Sequence, residues 1–419
     1  MPVQLQLQRD SEVFFSTKNL AGGDAFSSLT PANTWKIEVL AGFATSQAAG
    51  TQDISSSESG LNPDRSSRRF NINVQPVNWN FQTYLRPTGA ETSGQNAATS
   101  AQSSNVKPVA DWMLWQAIAS NTAPANGGSE QSAWQNGGVF DTQQSSGAAN
   151  VAATTFNYAS AQENHLYVKM DNVIYQVANA AIESAEVSGA IDGIAMTTWT
   201  GLGTNLIELT GATRNAAVSV FGGILNSGTA VTANSNAYAL TAVASYHPWA
   251  QMNVAGSITS ASFIKNRLGT VVMAHQTEAG VTSTYTFPIT NMSVSVKNNI
   301  TYLTPEELSK LNQPIGQYAG AREITGSVSA YLRADTNGSA QFLRNILADT
   351  RPNFSQYANA NIRIGGNSSP YVAFYMPAVQ FQIPTHNITD IISVDMQFKA
   401  QESLAREGTG GELVIFAKK

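Results

Sequence analysis

Apolar and polar residues alternate with a period of two through much of the chain, which predicts half-buried β-strands. One such run has apolar positions at Phe70, Ile72 and Val74, then at Trp79, Phe81 and Leu85. Its phase slips around Gln75-Pro76, which predicts a β-bulge where the missing proline N–H costs no ladder bond. A second run carries Ile324, Val328, Ala330 and Leu332. Both runs end in the same triplet, Tyr84-Leu85-Arg86 and Tyr331-Leu332-Arg333. A short amphipathic helix is predicted after each. The first spans Pro108 to Ser120, with Trp112, Leu114, Trp115 and Ile118 on its apolar side. The second follows Asn337-Gly338-Ser339, a helix-start signal, and carries Phe342, Leu343, Ile346 and Leu347. Residues 88–105, rich in Ser, Ala and Asn, read as a surface loop.

The flanking segments repeat in the same order, which predicts a duplicated unit. Glu12–Phe15 is matched by Thr270–Met273. The strand Trp35–Val39, followed by a polar, glycine-rich connection over 44–67, is matched by Phe287–Val296 followed by 297–320. Within the latter, Thr304-Pro305-Glu306-Glu307 predicts a short helix. Val173, Tyr175 and Val177, then 182–199, are matched by Val379, Phe381 and Ile383, then 388–398. In that last stretch Ile392, Val394, Met396 and Phe398 alternate with Ser393, Asp395, Gln397 and Lys399. An apolar strand closes each copy, at 205–209 and 413–416. The pattern predicts a mainly β fold of two tandem units, 1–209 and 256–419, joined by a connecting segment or insert over 210–255.

Composition narrows the function. Charged residues make up 12% of the 419, against about 25% in ordinary globular proteins, while hydrophobics reach 42% and aromatics 9%. There is enough large apolar surface for a core, so the chain is not of the disordered class. The absence of cysteine excludes disulfide frameworks, thiolate metal sites and cysteine nucleophiles. The four histidines (His165, His247, His275, His386) stand far apart, and no nucleophile elbow, phosphate loop or zinc-protease motif occurs. Gly201-Leu-Gly203 lacks the third glycine of a dinucleotide fingerprint. The expectation is a protein without catalytic residues, cofactor or metal. A net charge of −5 offers no basic footprint for gripping nucleic acid. The opening MPVQLQLQRDSEVFF lacks a signal-peptide pattern and no apolar run is long enough to cross a membrane. Synthesis in a cytoplasm and no membrane partner are therefore expected. So little surface charge predicts a chain largely covered by partner subunits, since low-charge alternating strands are aggregation hazards when their edges stay open.

These features together resemble the bacteriophage tail tube proteins, in a large form with the tube domain duplicated. The residues that carry the resemblance are Trp35-x-Ile37 with its long following loop, Phe81-Gln-Thr-Tyr-Leu-Arg-Pro87, and the helix after it. Ile174-Tyr-Gln-Val-x-Asn-Ala180 running into Ala190-Ile-Asp-Gly-Ile-Ala195 and Thr198-Trp-Thr-Gly201 adds to it. The second copy carries Asp390-Ile-Ile392 in place of the Asp-Gly-Ile wording. The resemblance implies two β-sandwich or barrel domains of the tail-tube type, each with a flanking helix and a long loop reaching the neighbouring ring. It implies stacked homo-oligomeric rings in a virion tail, three chains giving a pseudo-hexamer. Tape-measure protein, other tail proteins and double-stranded DNA in transit are the implied partners.

Charge is uneven along the chain: residues 71–210 hold three basic and ten acidic residues, net −7, which leaves +2 elsewhere. Acidic residues on a channel wall would repel phosphate and let DNA slide. Glu183, Glu186 and Asp192, with Asp390 and Asp395 in the second copy, are the lumen-lining candidates. Two other classes fit the composition. A capsid or sheath subunit also self-assembles, but a capsid protein of this length is expected to carry a long charged helix. A β-sandwich adhesin is expected to carry a signal peptide.

Overall fold

The computed structural model describes residues 11–24, 34–40, 42–55, 67–86, 111–118, 164–170, 173–209, 264–276, 282–306, 312–350, 357–365, 371–383, 385–387, 391–401 and 412–418. The chain is mainly β, and every strand ladder is antiparallel. The connecting segment 210–255, the loop 88–105 and Asp390 lie outside the described residues.

The repeat read from the triplets is matched strand for strand. In the first half, β1 (Ser11–Ser16), β2 (Thr34–Ile37), β7 (His165–Met170), β8 (Val173–Ala178) and β11 (Asn205–Glu208) form a sheet ordered β11-β8-β7-β1-β2. In the second, β12 (Thr270–Gln276), β13 (Thr282–Pro288), β18 (Tyr357–Gly365), β19 (Tyr371–Phe381) and β22 (Val414–Lys418) follow the order β22-β19-β18-β12-β13. A second set of strands follows the same rule. The first half contributes β3 (Ala44–Ser46), β6 (Val77–Tyr84), β10 (Met196–Gly203) and β9 (Ala181–Ala190), in the spatial order β3-β6-β10-β9. The second half contributes β14 (Asn291–Lys297), β17 (Glu323–Tyr331) and β21 (Ser393–Ala400), followed by the end of β19. A short strand β20 (Thr385–Asn387) also pairs with β21. Each copy adds a separate two-stranded hairpin, β4 (Ala49–Ser55) with β5 (Ser67–Val74), and β15 (Ile300–Leu303) with β16 (Gly316–Ala319).

The triplets sit at equivalent points of this scheme. Tyr84 pairs with Met196 and the Leu85 N–H donates to the Ala195 carbonyl at 2.9 Å; Tyr331 pairs with Ser393 and the Leu332 N–H donates to the Ile392 carbonyl at 3.0 Å. Each is followed by a helix, α1 (Trp112–Ile118) and α2 (Ser339–Thr350). Leu114, Trp115 and Ile118 are buried as the pattern predicts, and so are Phe342, Leu343 and Ile346, whereas Leu347 is 39% exposed. Ser339 caps the second helix differently from a simple N-cap: its Oγ accepts the Arg333 N–H and donates to the Tyr331 carbonyl, tying the helix start to the end of β17.

Three sequence expectations change. The slip at Gln75-Pro76 is a break between two strands with different partners: the strand partner of β5 is β4, while β6 joins the long sheet that runs from β13 to β3. Phe70 and Ile72 consequently stand exposed on the hairpin. The run Phe287–Val296 is two strands, β13 and β14, turning at Ile289-Thr290. Residues 304–306 are not helical, and 307–311 lie outside the described residues.

The core is shared by both halves. Val13, Phe15, Trp79, Phe81 and Trp199 join Val294, Val328, Phe374 and Phe398 in one buried cluster, each large side chain contributing about 1.5–3 kcal/mol by leaving water. Trp115 of α1 meets Trp199 edge-on at 4.9 Å and Phe374 of β19 at 6.2 Å. The Asn298 side-chain amide donates to the Ile118 carbonyl at 2.6 Å, so a residue of the second half satisfies an orphan carbonyl at the end of the first half's helix.

Two buried titratable groups act in opposite directions. Burial pushes the Asp111 carboxyl up to about 6, partly offset by the Thr83 hydroxyl that donates to it at 2.5 Å. Burial pushes His165 down to about 4, with its Nδ1 accepting the Asn179 N–H at 3.2 Å. Asp111 binds its proton more tightly in the folded chain, so its contribution is lost as pH rises from about 4 to about 6. His165 must charge to unfold at low pH, so its contribution is lost as pH falls from about 6.5 to about 4. Each is worth about 3 kcal/mol at most, and between pH 4.5 and 6.5 they largely cancel. Asp111→Asn is expected to unmask the histidine. Its urea midpoint should fall on acidification across that range, where the wild type stays nearly level; a variant as level as the wild type would contradict this assignment.

Candidate functional site

Alternation divides each strand of the long sheet into a buried face and an open face. On β6, Val77, Trp79, Phe81 and Thr83 are buried while Asn78, Asn80 and Gln82 are exposed. On β21, Val394, Met396, Phe398 and Ala400 are buried while Asp395, Gln397 and Lys399 are exposed. The two faces continue across β9, β10, β14 and β17 because the ladders align open positions with open positions, except at Ala181 and Leu202, which pack under Ile300 and Tyr302 of β15. The open face is mostly hydroxyl and amide. Ser184 and Thr200 share a hydrogen bond at 2.6 Å across β9 and β10, and Ser293 and Ser327 share one at 2.8 Å across β14 and β17.

The proposed lining residues separate in this frame. Glu186 and Asp395 both lie on the open face, opposite Ser295 and Ser329 respectively. Glu183 is the extra residue of a bulge, between the pairs Ile182–Gly201 and Ser184–Thr200, and its carbonyl accepts the Asn298 N–H at 2.8 Å. Asp192 sits in the turn after β9, where Arg267 donates to it at 2.5 Å. Asp390 is outside the described residues. Counting acidic residues along the chain missed the lysines: Lys297 and Lys399 share the open face, and Lys399 donates to Glu323 at 2.8 Å, which holds that carboxyl below its ordinary range. The period-two phase that marks Asp395 also marks Lys399, four residues on.

The two hairpins carry a different surface. Ile54, Phe70 and Ile72 are exposed on β4–β5, and Leu303 and Tyr318 on β15–β16, with Ile315, 70% exposed, just before β16. The hairpins touch through Asn312, whose carbonyl accepts the Val74 N–H at 2.9 Å. Among the described residues no helix is long and apolar enough to cross a membrane.

No family model matches the chain. It is 27% identical over 426 aligned residues to the tail tube protein pb6 of Escherichia phage T5, an alignment covering 99% of this chain and 77% of that relative. A chain of the six-fold symmetrised cryo-EM structure of the anti-feeding prophage baseplate matches 36% of this chain and 93% of its own length, at 9% identity and a TM-score of 0.28. That structural likeness is too slight to carry an argument. The sequence match to the tail tube protein is of another order, running through both copies of the repeat and through an architecture of antiparallel sheets with flanking helices. Over nearly its whole length, then, the chain is similar to a phage tail tube protein.

Proposed function

We propose that this tail tube subunit forms rings of three chains, six pseudo-equivalent units in all, that stack around a lumen lined by the open face of the long sheet. One observation carries the reading: the two copies stand side by side in a single sheet, joined by β9 of the first and β14 of the second over seven residue pairs. Because the same strands are not reused at this join, the contact is head to tail. A head-to-tail contact closes into a ring when its rotation divides the full circle evenly, here six units per turn. Units 1–209 and 256–419 are the two repeating bodies of that ring.

The chemistry of the open face supports the passage of DNA and of the tape-measure protein. Its charged side chains are few and of both signs, and its remaining polar groups are mostly serine, threonine, asparagine and glutamine, with Tyr331 at its margin. Such a wall offers a polyanion no cluster of cations to bind, and passage without arrest follows. The exposed apolar side chains of the hairpins supply the surface on which the next ring and other tail proteins seat.

Glu186→Lys combined with Asp395→Lys is expected to slow or stall DNA ejection from assembled particles, because each adds a cation facing the phosphates. The slowing should lessen as salt is raised. Ejection at the wild-type rate from particles of normal tail length would remove the open face from the lumen.

A further inference from the structure

The internal join dictates how one chain meets the next. Matching the triplets makes Met196 and Ser393 counterparts, since they pair with Tyr84 and Tyr331. Reading along those strands, Glu186, Val187 and Ser188 of β9 stand against Thr198, Thr197 and Met196; Thr385, His386 and Asn387 of β20 stand against Asp395, Val394 and Ser393. β20, with the end of β19, is therefore the second copy's β9. By the same register Ala44, Thr45 and Ser46 of β3, opposite Asn80, Trp79 and Asn78, are the counterparts of Ser293, Val294 and Ser295 of β14, opposite Ser327, Gly326 and Thr325.

Inside the chain, Ser293, Val294 and Ser295 pair with Ser188, Val187 and Glu186. The counterparts of these six residues are the two edges left open: β3 pairs with β6 alone and β20 with β21 alone among the described residues. We infer that β3 of one chain pairs antiparallel with β20 of a second copy of the same chain, in the register Ala44–Asn387, Thr45–His386 and Ser46–Thr385. The inference rests on the ring reading above and specifies its seam.

Two further features favour this pair of edges. The other edges of the larger sheets, β2 with β13 and β11 with β22, are counterparts of each other, and none of them makes a seam inside the chain among the described residues. Both β3 and β20 are three residues long, against seven for β14 and ten for β9. Very short edge strands are how sheet proteins suppress uncontrolled pairing. The free subunit thus presents blunted edges.

The chain has no cysteine, so engineered pairs report without background. Directly opposed residues in an antiparallel ladder lie about 4.5–5.5 Å apart at Cα, within disulfide reach, while a two-residue offset exceeds it. Ala44→Cys with Asn387→Cys is expected to give covalent products under mild oxidation of assembled tubes, ending at three chains. The yield should exceed the off-register control, Ala44→Cys with Thr385→Cys, by about tenfold. Ser46→Cys with Thr385→Cys samples the same register should the first variant fail to assemble. Tubes visible by electron microscopy that cross-link in neither pair, or equally well in the control, would overturn the seam while leaving the tube reading intact. Wild-type protein that forms no rings or tubes would overturn both.

Discussion

Trp199→Ala is expected to destabilise the unassembled subunit by about 3–5 kcal/mol, read as a lower urea midpoint at unchanged slope. The indole is fully buried at the centre of the first copy. Its Nε1–H donates to the Thr83 hydroxyl at 3.0 Å, and that hydroxyl donates onward to Asp111 at 2.5 Å, directly before α1. Its ring meets Trp115 of the same helix. Truncation therefore opens a cavity and removes the donor that orders Thr83, so both the transfer and the cavity contributions are lost. The effect should extend to the second copy, because Trp115 also contacts Phe374. Trp199→Phe keeps most of the volume and loses only the donor, so it should cost less than half as much. A loss below about 1 kcal/mol for the alanine variant would mean that α1 does not dock against this strand.

Gly201→Ala and Gly326→Ala are expected to cost about 2–3 kcal/mol each, large for the addition of one methyl group. A Cβ at Gly201 would lie 2.1 Å from the Trp79 ring and 2.3 Å from the Ala181 carbonyl oxygen; at Gly326 it would lie 2.3 Å from the Phe398 ring and 2.5 Å from the Ser293 carbonyl oxygen. These are the same site in the two copies. Trp79 pairs with Gly201 and Gly326 pairs with Phe398, so the aromatic sits on β6 in one copy and on β21, the counterpart of β10, in the other. An aromatic ring lying over a cross-strand glycine fills the space a side chain would take. Because a backbone carbonyl also blocks each position, Trp79→Ala should not rescue Gly201→Ala. Recovery of the lost stability in that double variant would show that the ring alone excludes the methyl group.

Which parts of this were legible follows from what each feature depends on. The buried and open faces of β6 and β21 depend only on period-two alternation, and Trp79, Phe81, Val394 and Met396 are buried as their phase requires. The duplication depends on the order of elements, and the paired triplets close the same hydrogen bond in both copies. Strand ends were less legible. Pro76 disturbs the phase whether it makes a bulge or separates two strands, and only the partners available to β5 and β6 distinguish these outcomes. At the turn between β13 and β14 the signal was present but unread: Pro288, the last residue of β13, stands directly before Ile289-Thr290. Leu347 fits the apolar spacing of α2 but lies at the rim, beyond the cluster of Phe342 with Tyr285, Phe287 and Phe381.

The candidate site divides the same way. Glu186 and Asp395 could be placed on one kind of face from sequence because each side chain is read locally. Glu183 could not, since a bulge between Thr200 and Gly201 takes it out of phase, and Asp192 lies beyond the end of its strand, beside Arg267 from another part of the chain.

By itself, then, the sequence determined a duplicated, mainly β chain, poor in charge, with two helices and alternating faces, since side-chain type and spacing carry that information. Only the tertiary structure decided that the copies join through β9 and β14, and with them which edges remain open. A ladder is made by N–H and C=O groups that almost every residue possesses, so the choice of partner strand leaves no mark in the residues that make it.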